Sequence, residues 1–423
     1  MIKLLIFFLL IFSSCTPFKR ENIVEKKSKE VIKEINSEKI QITQNFNSDL
    51  EIKLPNRADN KSRKILRNNF GRQEIIELKY KVNNYKFKKI KNFSKFEPNI
   101  IFEKNNIFFF QKKGSIIKLN SENEIIWEIN NYSKQEKKLG PLLTFGSNND
   151  TIVVTDNLSK YYAINKLTGE IIWTKINTSP LNSEIKIIND KFFAIDQENI
   201  IYCYSLKDGK KIWSYKTDNF FIKTRKKLSI IINDNKIVFN NSVGDITALD
   251  IKNGSLIWQM PTQNNQIYAD TITLSTSSLV SEQEYIIFSN NKNEFYSLDL
   301  GNGFLNWKQK INSDIRPVVT EKIIFTVSTD GFLFLIDVRN GNIIKSQDLL
   351  INIKKRNLIK PVGISLGVDK IFVTFDNGLL LIAELKNGKI IKSIKIDNQK
   401  ISEPFVFNKK LFVIKDNSII ELN

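Results

Sequence analysis

Short apolar-alternating runs separated by glycine- or asparagine-containing turns fill the chain from about residue 97 onward. A representative unit reads KIIFTVST (322–329), then DG, FLFLIDV, RNG and NIIK. Alternation over four to eight residues predicts β-strands. Asp-Gly and Asn-Gly predict tight hairpin turns, because these residues accept a positive φ at little cost. The pattern therefore predicts a four-stranded antiparallel meander that is repeated along the chain.

Tryptophan marks the same position in successive repeats, just after the last turn of the unit. All five tryptophans occupy it, with spacings of 40 to 49 residues: Trp127, Trp173, Trp213, Trp258 and Trp307. A glycine stands four residues earlier in four units (Gly169, Gly209, Gly254 and Gly303), and Asn123 takes that place in the first. Two further units keep the glycine and have Lys345 or Lys392 instead of the ring.

We predict that this tryptophan lies on the outermost strand of each unit and joins it to its neighbour. A large flat ring can wedge against the next sheet and donate its indole N–H to a backbone carbonyl. In this interpretation the repeated phrase builds the fold and does no chemistry. We expect looser contacts where Lys345 and Lys392 replace the ring.

A repeat of 40 to 45 residues built from four strands is typical of a β-propeller blade. Seven repeats are visible, and 403–423 supplies three more strands without the glycine–tryptophan strand. The strand-like segment at 73–87 belongs to no repeat of its own, and pairing it outside the C-terminal strands would close the ring. The sequence predicts an all-β, eight-bladed propeller of four-stranded blades over 71–423, closed by an N-terminal strand.

Composition removes several kinds of chemistry. The 423 residues include no histidine, which excludes Ser-His-Asp and Cys-His nucleophilic sites and His-ligated zinc. The formal net charge of +19 is compatible with nucleic acid or anionic lipid as a partner. We favour the Lys-, Ile- and Asn-rich bias of an AT-rich genome as its origin, because the basic residues are scattered through the repeats and do not form one stripe. Of the two cysteines, Cys203 lies in an alternating apolar run and is expected to be a small buried strand residue.

The N-terminus has the form of a secretory signal. Lys3 precedes nine apolar residues at 4–12, too few for a permanent membrane span, and FSSC follows. This ending resembles a bacterial lipoprotein signal, which implies removal of 1–14, lipidation of Cys15 and, with Thr16 rather than aspartate next, an outer-membrane anchor facing the periplasm. An ordinary cleaved signal with an incidental cysteine is the alternative. Residues 15–70, dense in charge and poor in aromatics, are expected to form a flexible tether.

A lipoprotein-like signal followed by repeated Asp/Asn-Gly-x-x-x-Trp units resembles the PQQ-like repeat propellers, and among them the BamB-like lipoproteins of outer-membrane β-barrel assembly. The resemblance covers about 350 residues and the signal. It implies a periplasmic scaffold that is not an enzyme, needs no cofactor and binds the barrel-inserting subunit BamA. No nucleic acid or small-molecule substrate is implied.

The same resemblance points to a partner-binding stretch after the third tryptophan strand. The matching residues are Phe220, Phe221, Ile222 and Lys223, which keep an apolar-x-apolar-basic order. Exposed aromatics in a connection between blades would suit a partner surface, although the same residues could form the innermost strand of blade 4. An acidic pair expected in the next connection would fall at 273–275, where Thr273, Leu274 and Ser275 stand and no acid does.

Two other functions remain open. One is a quinoprotein dehydrogenase, which uses this repeat to hold PQQ and Ca²⁺. Such enzymes are longer chains and have a pair of adjacent cysteines, whereas this sequence has no adjacent cysteines. A different envelope-tethered propeller that binds peptidoglycan or a secretion component is the other alternative, because a propeller presents its functional residues on variable loops.

Overall fold

The computed structural model describes residues 82–86, 100–103, 106–120, 122, 124–217, 223–262, 276–290, 292–320, 322–367, 369–407 and 410–422. The predicted signal peptide, Cys15 and the tether lie outside these residues. Phe220, Phe221, Ile222 and the stretch 273–275 lie outside them as well.

The described strands form eight sheets of four antiparallel strands each. Seven sheets are meanders of four consecutive strands, and the eighth combines three C-terminal strands with one N-terminal strand. The predicted eight-bladed β-propeller is therefore confirmed. Blades are numbered 1 to 8 from the sheet that begins at Ile101.

The strands of blades 1 to 4 are, in chain order, β2 Ile101–Glu103, β3 Asn106–Phe110, β4 Ile116–Leu119 and β5 Ile125–Ile129; β6 Leu143–Ser147, β7 Thr151–Asp156, β8 Lys160–Asn165 and β9 Ile171–Ile176; β10 Lys186–Ile188, β11 Lys191–Ile195, β12 Ile200–Ser205 and β13 Lys211–Lys216; β14 Ile230–Asn233, β15 Lys236–Asn240, β16 Ile246–Asp250 and β17 Leu256–Met260. The α-helix α1, Lys134–Leu139, joins blades 1 and 2, and a 3-10 turn, Lys112–Gly114, joins β3 to β4.

The strands of blades 5 to 8 are β18 Val280–Glu282, β19 Tyr285–Asn290, β20 Glu294–Asp299 and β21 Leu305–Gln309; β22 Val318–Val319, β23 Ile323–Val327, β24 Phe332–Asp337 and β25 Ile343–Asp348; β26 Pro361–Leu366, β27 Lys370–Phe375, β28 Leu379–Glu384 and β29 Ile390–Lys395; β30 Phe405–Phe407, β31 Lys410–Lys415, β32 Ser418–Leu422 and β1 Val82–Lys86. A second 3-10 turn, Arg356–Leu358, joins blades 6 and 7.

The ring closes in two ways. β1 pairs antiparallel with β32, from Val82 opposite Leu422 to Lys86 opposite Ser418, as the sequence predicted for the segment at 73–87. In addition, blade 8 packs its apolar face on blade 1, where the Phe102 and Phe412 ring centroids are 4.6 Å apart. No open radial seam remains between the last blade and the first.

The core lies between blades. Second and third strands are buried along nearly their whole length, as in β11 and β12, because both faces of the strand meet a neighbouring sheet. This explains the near-continuous apolar runs in these strands. Fourth strands such as β13 alternate between exposed and half-buried residues, because they form the rim.

The antiparallel order gives the disc two chemically different faces. Turns joining first to second strands and third to fourth strands lie on one side, which we call the turn face. Turns joining second to third strands lie on the other side, together with the connections between blades. We call this side the connection face. Its segments are longer and more varied in sequence, whereas the turn face repeats the glycine turn in most blades.

Each tryptophan ring lies against the glycine turn of the next blade. A Cβ added at Gly169, Gly209, Gly254, Gly303 or Gly341 would come within 2.5 to 2.8 Å of Trp127, Trp173, Trp213, Trp258 or Trp307, respectively. Every one of these glycines also has a positive φ. The glycine therefore has two functions: it makes its own turn, and it leaves room for the preceding blade's ring.

Four of the five indoles also donate a hydrogen bond to that next blade. Their Nε1 atoms donate to carbonyls in the same turns, at 3.4 Å (Trp127 to Lys166), 2.9 Å (Trp173 to Leu206), 3.2 Å (Trp258 to Leu300) and 2.8 Å (Trp307 to Val338). The Nε1 of Trp213 is buried and has no hydrogen-bond partner. Where Lys345 replaces the ring, the contact to the next glycine is wider: a Cβ at Gly388 would lie 3.3 Å from Gln347.

A β-bulge precedes the tryptophan position in the outermost strand of blades 1 to 7. In β13, for example, Trp213 pairs with Cys203 and Lys211 pairs with Tyr204, so that Ile212 is the extra residue. The equivalent extra residues are Ile126, Ile172, Ile257, Asn306, Ile344 and Ile391. Such a bulge redirects the next side chain and twists the sheet edge away from regular pairing.

Replacing Gly303 by alanine should destabilise the propeller more than the same change at Gly140. Both glycines have φ near +75°, but a Cβ at Gly303 would lie 2.5 Å from the Trp258 ring, whereas nothing lies within 4 Å of one at Gly140. We expect Gly140→Ala to cost about 1 kcal/mol from backbone strain alone. Gly303→Ala should cost about 2 kcal/mol more because it overpacks the blade contact.

The measurement is the free energy of unfolding from urea titrations of the parent and both variants. Equal losses at the two positions would mean that the ring contact adds nothing to the strain of the turn.

Candidate partner-binding face

The connection face carries the described part of the stretch predicted to bind a partner. Lys223 begins the segment that enters blade 4, its side chain is 52% exposed, and its Nζ forms an ion pair with Glu198 from the turn between β11 and β12. The innermost strand of blade 4 is β14, which starts at Ile230, so Lys223 belongs to the connection and not to that strand.

The backbone beyond Lys223 is fixed by its neighbours. The Asn182 side chain donates from Nδ2 to the carbonyl of Thr224 at 2.9 Å and to that of Lys226 at 3.2 Å. The Leu228 N–H donates to the Asn182 carbonyl, and the Glu184 N–H donates to the Leu228 carbonyl, both at 2.9 Å. The entry segments of blades 3 and 4 therefore lie side by side and hold the base of this connection in a defined position.

A small pocket opens beside this segment. Thr224, Lys226, Lys227, Asn241, Ser242 and Thr276 are among the residues that line it, and its accessible volume of about 10 Å³ suits roughly one water molecule. It is too small for a cofactor or a drug-sized ligand.

The inner ends of the eight blades surround a central channel. Two contacts cross this channel near the connection face. The Arg316 guanidinium, in the entry segment of blade 6, forms an ion pair with Glu184, in the entry segment of blade 3. The Lys226 Nζ donates to the carbonyl of Asp314 at 2.5 Å. Blades 3 and 6 are three steps apart in a ring of eight, so a direct contact between their inner ends must span the channel.

Lys186 adds a buried cation to this bridge. Its Nζ lies 3.9 Å from the Glu184 carboxylate. Burial is the main cause that lowers the pKa of Lys186 to about 8; Glu184 partly opposes this shift, and Arg316 adds to it. The Arg316 Nε and the Glu184 Oε2 are buried without hydrogen-bond partners. The bridge is thus a tightly enclosed polar cluster whose hydrogen-bonding groups are incompletely satisfied.

The sequence contained a signal for this cluster that the repeat analysis missed. The entry segments of blades 3 and 6 read NSEIK (182–186) and NSDIR (312–316), the same order of amide, hydroxyl, acid, isoleucine and base. Ser183 accepts the Ile195 N–H, and Ser313 donates to the Val327 carbonyl, so each serine ties its entry segment to the second strand. A pairwise comparison of entry segments would have identified Glu184, Lys186 and Arg316.

The other predicted residues are placed as follows. The five tryptophans lie at the rim, between blades and away from the channel. Cys203 is buried in β12, and burial raises the pKa of its thiol to about 12. Within the described part of the chain, no group of three or more His, Cys, Asp or Glu side chains is arranged to hold a metal ion. None of the helices in that part has the length and apolar character to cross a bilayer.

Comparison with known proteins gives one family. The family model described as outer membrane protein assembly factor BamB matches residues 112–347, which is more than half of the chain. The uncharacterized protein RP232 of Rickettsia prowazekii (strain Madrid E) is 23% identical over 172 residues, and the match covers 38% of either chain. This chain therefore spans well under half the length of that relative.

Solved structures match the fold. BamB from Moraxella catarrhalis superposes with a TM-score of 0.63 at 16% identity, covering 77% of this chain and 96% of that one. Quinohemoprotein alcohol dehydrogenase from Comamonas testosteroni superposes with a TM-score of 0.58 at 10% identity, covering 82% and 76%. At these identities both likenesses concern the propeller architecture.

Breaking the cross-channel ion pair should destabilise the fold. Glu184→Gln leaves Arg316 and Lys186 buried without their carboxylate, and Arg316→Gln leaves Glu184 beside Lys186 alone. Each change should cost about 3 kcal/mol, and the double variant should cost clearly less than the sum, because the second change removes a charge already left unpaired. Urea unfolding of the four proteins measures this coupling.

The control is Asp208→Asn, which breaks an exposed pair with Lys210 and should have no measurable effect on the free energy of unfolding. Additive losses at Glu184 and Arg316 would contradict coupling across the channel.

The lowered pKa of Lys186 predicts a specific pH dependence. Between about pH 8 and its ordinary value of 10.5 the unfolded chain binds this proton and the folded chain does not. Because of this lysine, the free energy of unfolding should therefore rise with pH across that window. In Lys186→Met that contribution disappears. Urea titrations of both proteins at several pH values test it, and parallel pH profiles would show that Lys186 titrates normally in the folded state.

Proposed function

Since the chain belongs to the family of outer membrane protein assembly factor BamB, we propose that it is a non-enzymatic scaffold of outer-membrane β-barrel assembly. It binds a BamA-like barrel-inserting subunit through the connection face. Cys15 carries the lipid that anchors it to the outer membrane, and the propeller faces the periplasm. The observation that carries this proposal is the family match along blades 1 to 6, combined with a connection face built for surface contact.

The physical argument starts from rigidity. Ring-on-glycine contacts join blades 1 to 6, and the β1–β32 pairing closes the ring. The connections of such a disc keep their relative positions, and a rigid surface loses little conformational entropy on binding. Lys223 presents its charge at the edge of the blade 3–4 connection, and the sequence places Phe220 and Ile222 just before it. Apolar residues beside an exposed base are a suitable centre and rim for a protein interface.

Glu184 and Arg316 meet across the connection-face end of the channel. The likeness to quinohemoprotein alcohol dehydrogenase makes PQQ binding the alternative to test. Calorimetry with PQQ and Ca²⁺ addresses it: micromolar affinity together with dye-linked alcohol oxidation would replace the scaffold proposal.

Phe220→Asp with Lys223→Glu should weaken co-purification of the partner at least about tenfold, because it puts charge into the apolar centre and reverses the basic rim. The tagged full-length chain serves as bait in detergent extracts of envelopes. The parent should recover a large outer-membrane barrel with N-terminal periplasmic repeats.

The matched control is Phe304→Asp with Lys207→Glu, an exposed aromatic and an exposed lysine on the turn face, and it should co-purify normally. Unchanged recovery with the Phe220/Lys223 variant would remove these residues from the interface. Failure of the parent to recover any barrel protein would favour a different envelope-tethered binding propeller.

A further inference from the structure

The connection between blades 6 and 7 combines basic residues with exposed aliphatic side chains. Residues 349–360 read LLINIKKRNLIK, with four basic residues and no acid. Leu349, Leu350 and Ile359 are buried, whereas Ile351 is 63% and Leu358 is 74% exposed. Burying aliphatic side chains of such exposure in an apolar environment is favourable, at roughly 25 cal/mol per Å² of apolar surface.

This loop has a fixed shape. The Arg356 guanidinium pairs with Asp348 at 2.5 Å and donates to the Asp330 carbonyl at 3.1 Å. The Lys360 N–H donates to Asp376 Oδ1 at 2.9 Å. Asp348 thus matches the charge of Arg356, while Lys354, Lys355 and Lys360 stay exposed around the two aliphatic tips.

A second segment of the same chemistry lies on the same face, between blades 1 and 2. Leu139, the last residue of α1, is 69% exposed, and Lys134 and Lys138 beside it are exposed. The Asn130 side chain donates from Nδ2 to the Lys113 carbonyl at 3.0 Å, which ties this segment to the 3-10 turn where Lys112 and Lys113 are exposed. The one acid of α1, Glu136, is paired with Lys160.

From these two segments we propose that the connection face of blades 6, 7, 8 and 1 docks on the surface of an anionic lipid bilayer. Ile351, Leu358 and Leu139 insert at the level of the headgroups and upper acyl chains, and the surrounding lysines contact the lipid phosphates. The inference goes beyond the scaffold role and does not depend on lipidation of Cys15. The blade 3–4 connection lies away from this part of the ring.

The shape of the two segments favours a bilayer over a protein ligand. Both segments present exposed tips, and neither forms a groove. The two lie three blade steps apart on the connection face, so a flat surface can touch both at once. Aliphatic residues ringed by lysines combine burial in the interface with attraction to anionic headgroups. The formal charge of +19 adds a long-range attraction of the same sign.

The turn face provides the contrast. Leu167 and Phe304 are 77% and 73% exposed there. The neighbouring base of Leu167, however, is Lys166, which is buried and paired with Glu103. The turn that holds Phe304, LGNGF (300–304), contains no basic residue. Leu167 and Phe304 thus lack an exposed base within their own turns, whereas Ile351, Leu358 and Leu139 have exposed lysines in theirs.

Vesicle flotation tests the proposal with the full chain carrying Cys15→Ser in every sample, so that no covalent lipid contributes. The parent should float with vesicles of equal parts phosphatidylcholine and phosphatidylglycerol, remain unbound with phosphatidylcholine alone, and be released by high salt. Lys354→Gln with Lys355→Gln should weaken partitioning about thirty-fold, at roughly 1 kcal/mol for each lysine. Ile351→Ser with Leu358→Ser should abolish flotation while leaving the urea unfolding curve unchanged.

Matched variants on the turn face make the test specific. Leu167→Ser with Phe304→Ser, and Lys207→Gln with Lys210→Gln, should float like the parent. A polarity-sensitive dye on Leu358→Cys should shift to the blue on adding anionic vesicles, whereas the same dye on Phe304→Cys should not, and Cys203 is buried in both.

Three results would overturn the proposal: absence of flotation with the parent, equal flotation with neutral vesicles, or loop variants that float like the parent. If the parent did not bind vesicles and the loop variants instead lost a protein in the envelope pull-down, the segments would be assigned to an acidic protein surface. Failure of the scaffold proposal would show separately, as an effect of Phe220 and Lys223 on co-purification.

Discussion

The contact of a tryptophan ring with the glycine turn of the next blade is the interaction on which this propeller depends. It requires three local features at once: a positive-φ glycine without a side chain, a β-bulge that turns the outermost strand, and a ring at the residue after the bulge. Blades 2 to 5 each supply the ring for the next blade and the glycine for the one before. A change in one blade is therefore felt at both of its neighbours, which explains why the phrase recurs with so little variation while the rest of each repeat differs.

The same constraint separates the two faces. The turn face is occupied by the glycine turns that receive the rings, so its sequence is limited by packing. The connection face has no such task, and its segments differ in length, charge and content, from the helix α1 to the loop at 349–360. The features that suit contact with other molecules are accordingly found there: the ion pair of Lys223, the bridge between Glu184 and Arg316, and the exposed Ile351 and Leu358.

Much of the fold could be predicted from the sequence because it is local and repeated. Alternation, Asn-Gly turns and five tryptophans in one position were enough to predict eight four-stranded blades and the closing strand, and β1 on β32 confirmed the latter. The bulges could not be predicted, because an extra residue such as Ile212 is visible only when the register of two strands is known. Glu184, the partner of Arg316, lies 132 residues away from it in the sequence. Their contact is therefore seen only in the structure, although comparing NSEIK (182–186) with NSDIR (312–316) draws attention to both residues. The site was predictable only as a region: the resemblance indicated Phe220, Ile222 and Lys223, and of these the structure describes Lys223.

Because β1 lies near the N-terminus and pairs with β32 near the C-terminus, its position determines when the ring of blades can close. Ribosomes make the chain from Val82 toward Leu422, so the first rim strand must wait for almost the entire propeller before its partner exists. Until then the apolar side of blade 1, with Phe102 and Phe109, has no blade 8 to cover it. Final closure therefore follows synthesis of almost the whole propeller. The N-terminal position of β1 thus affects when the ring closes as well as how stable the closed ring is.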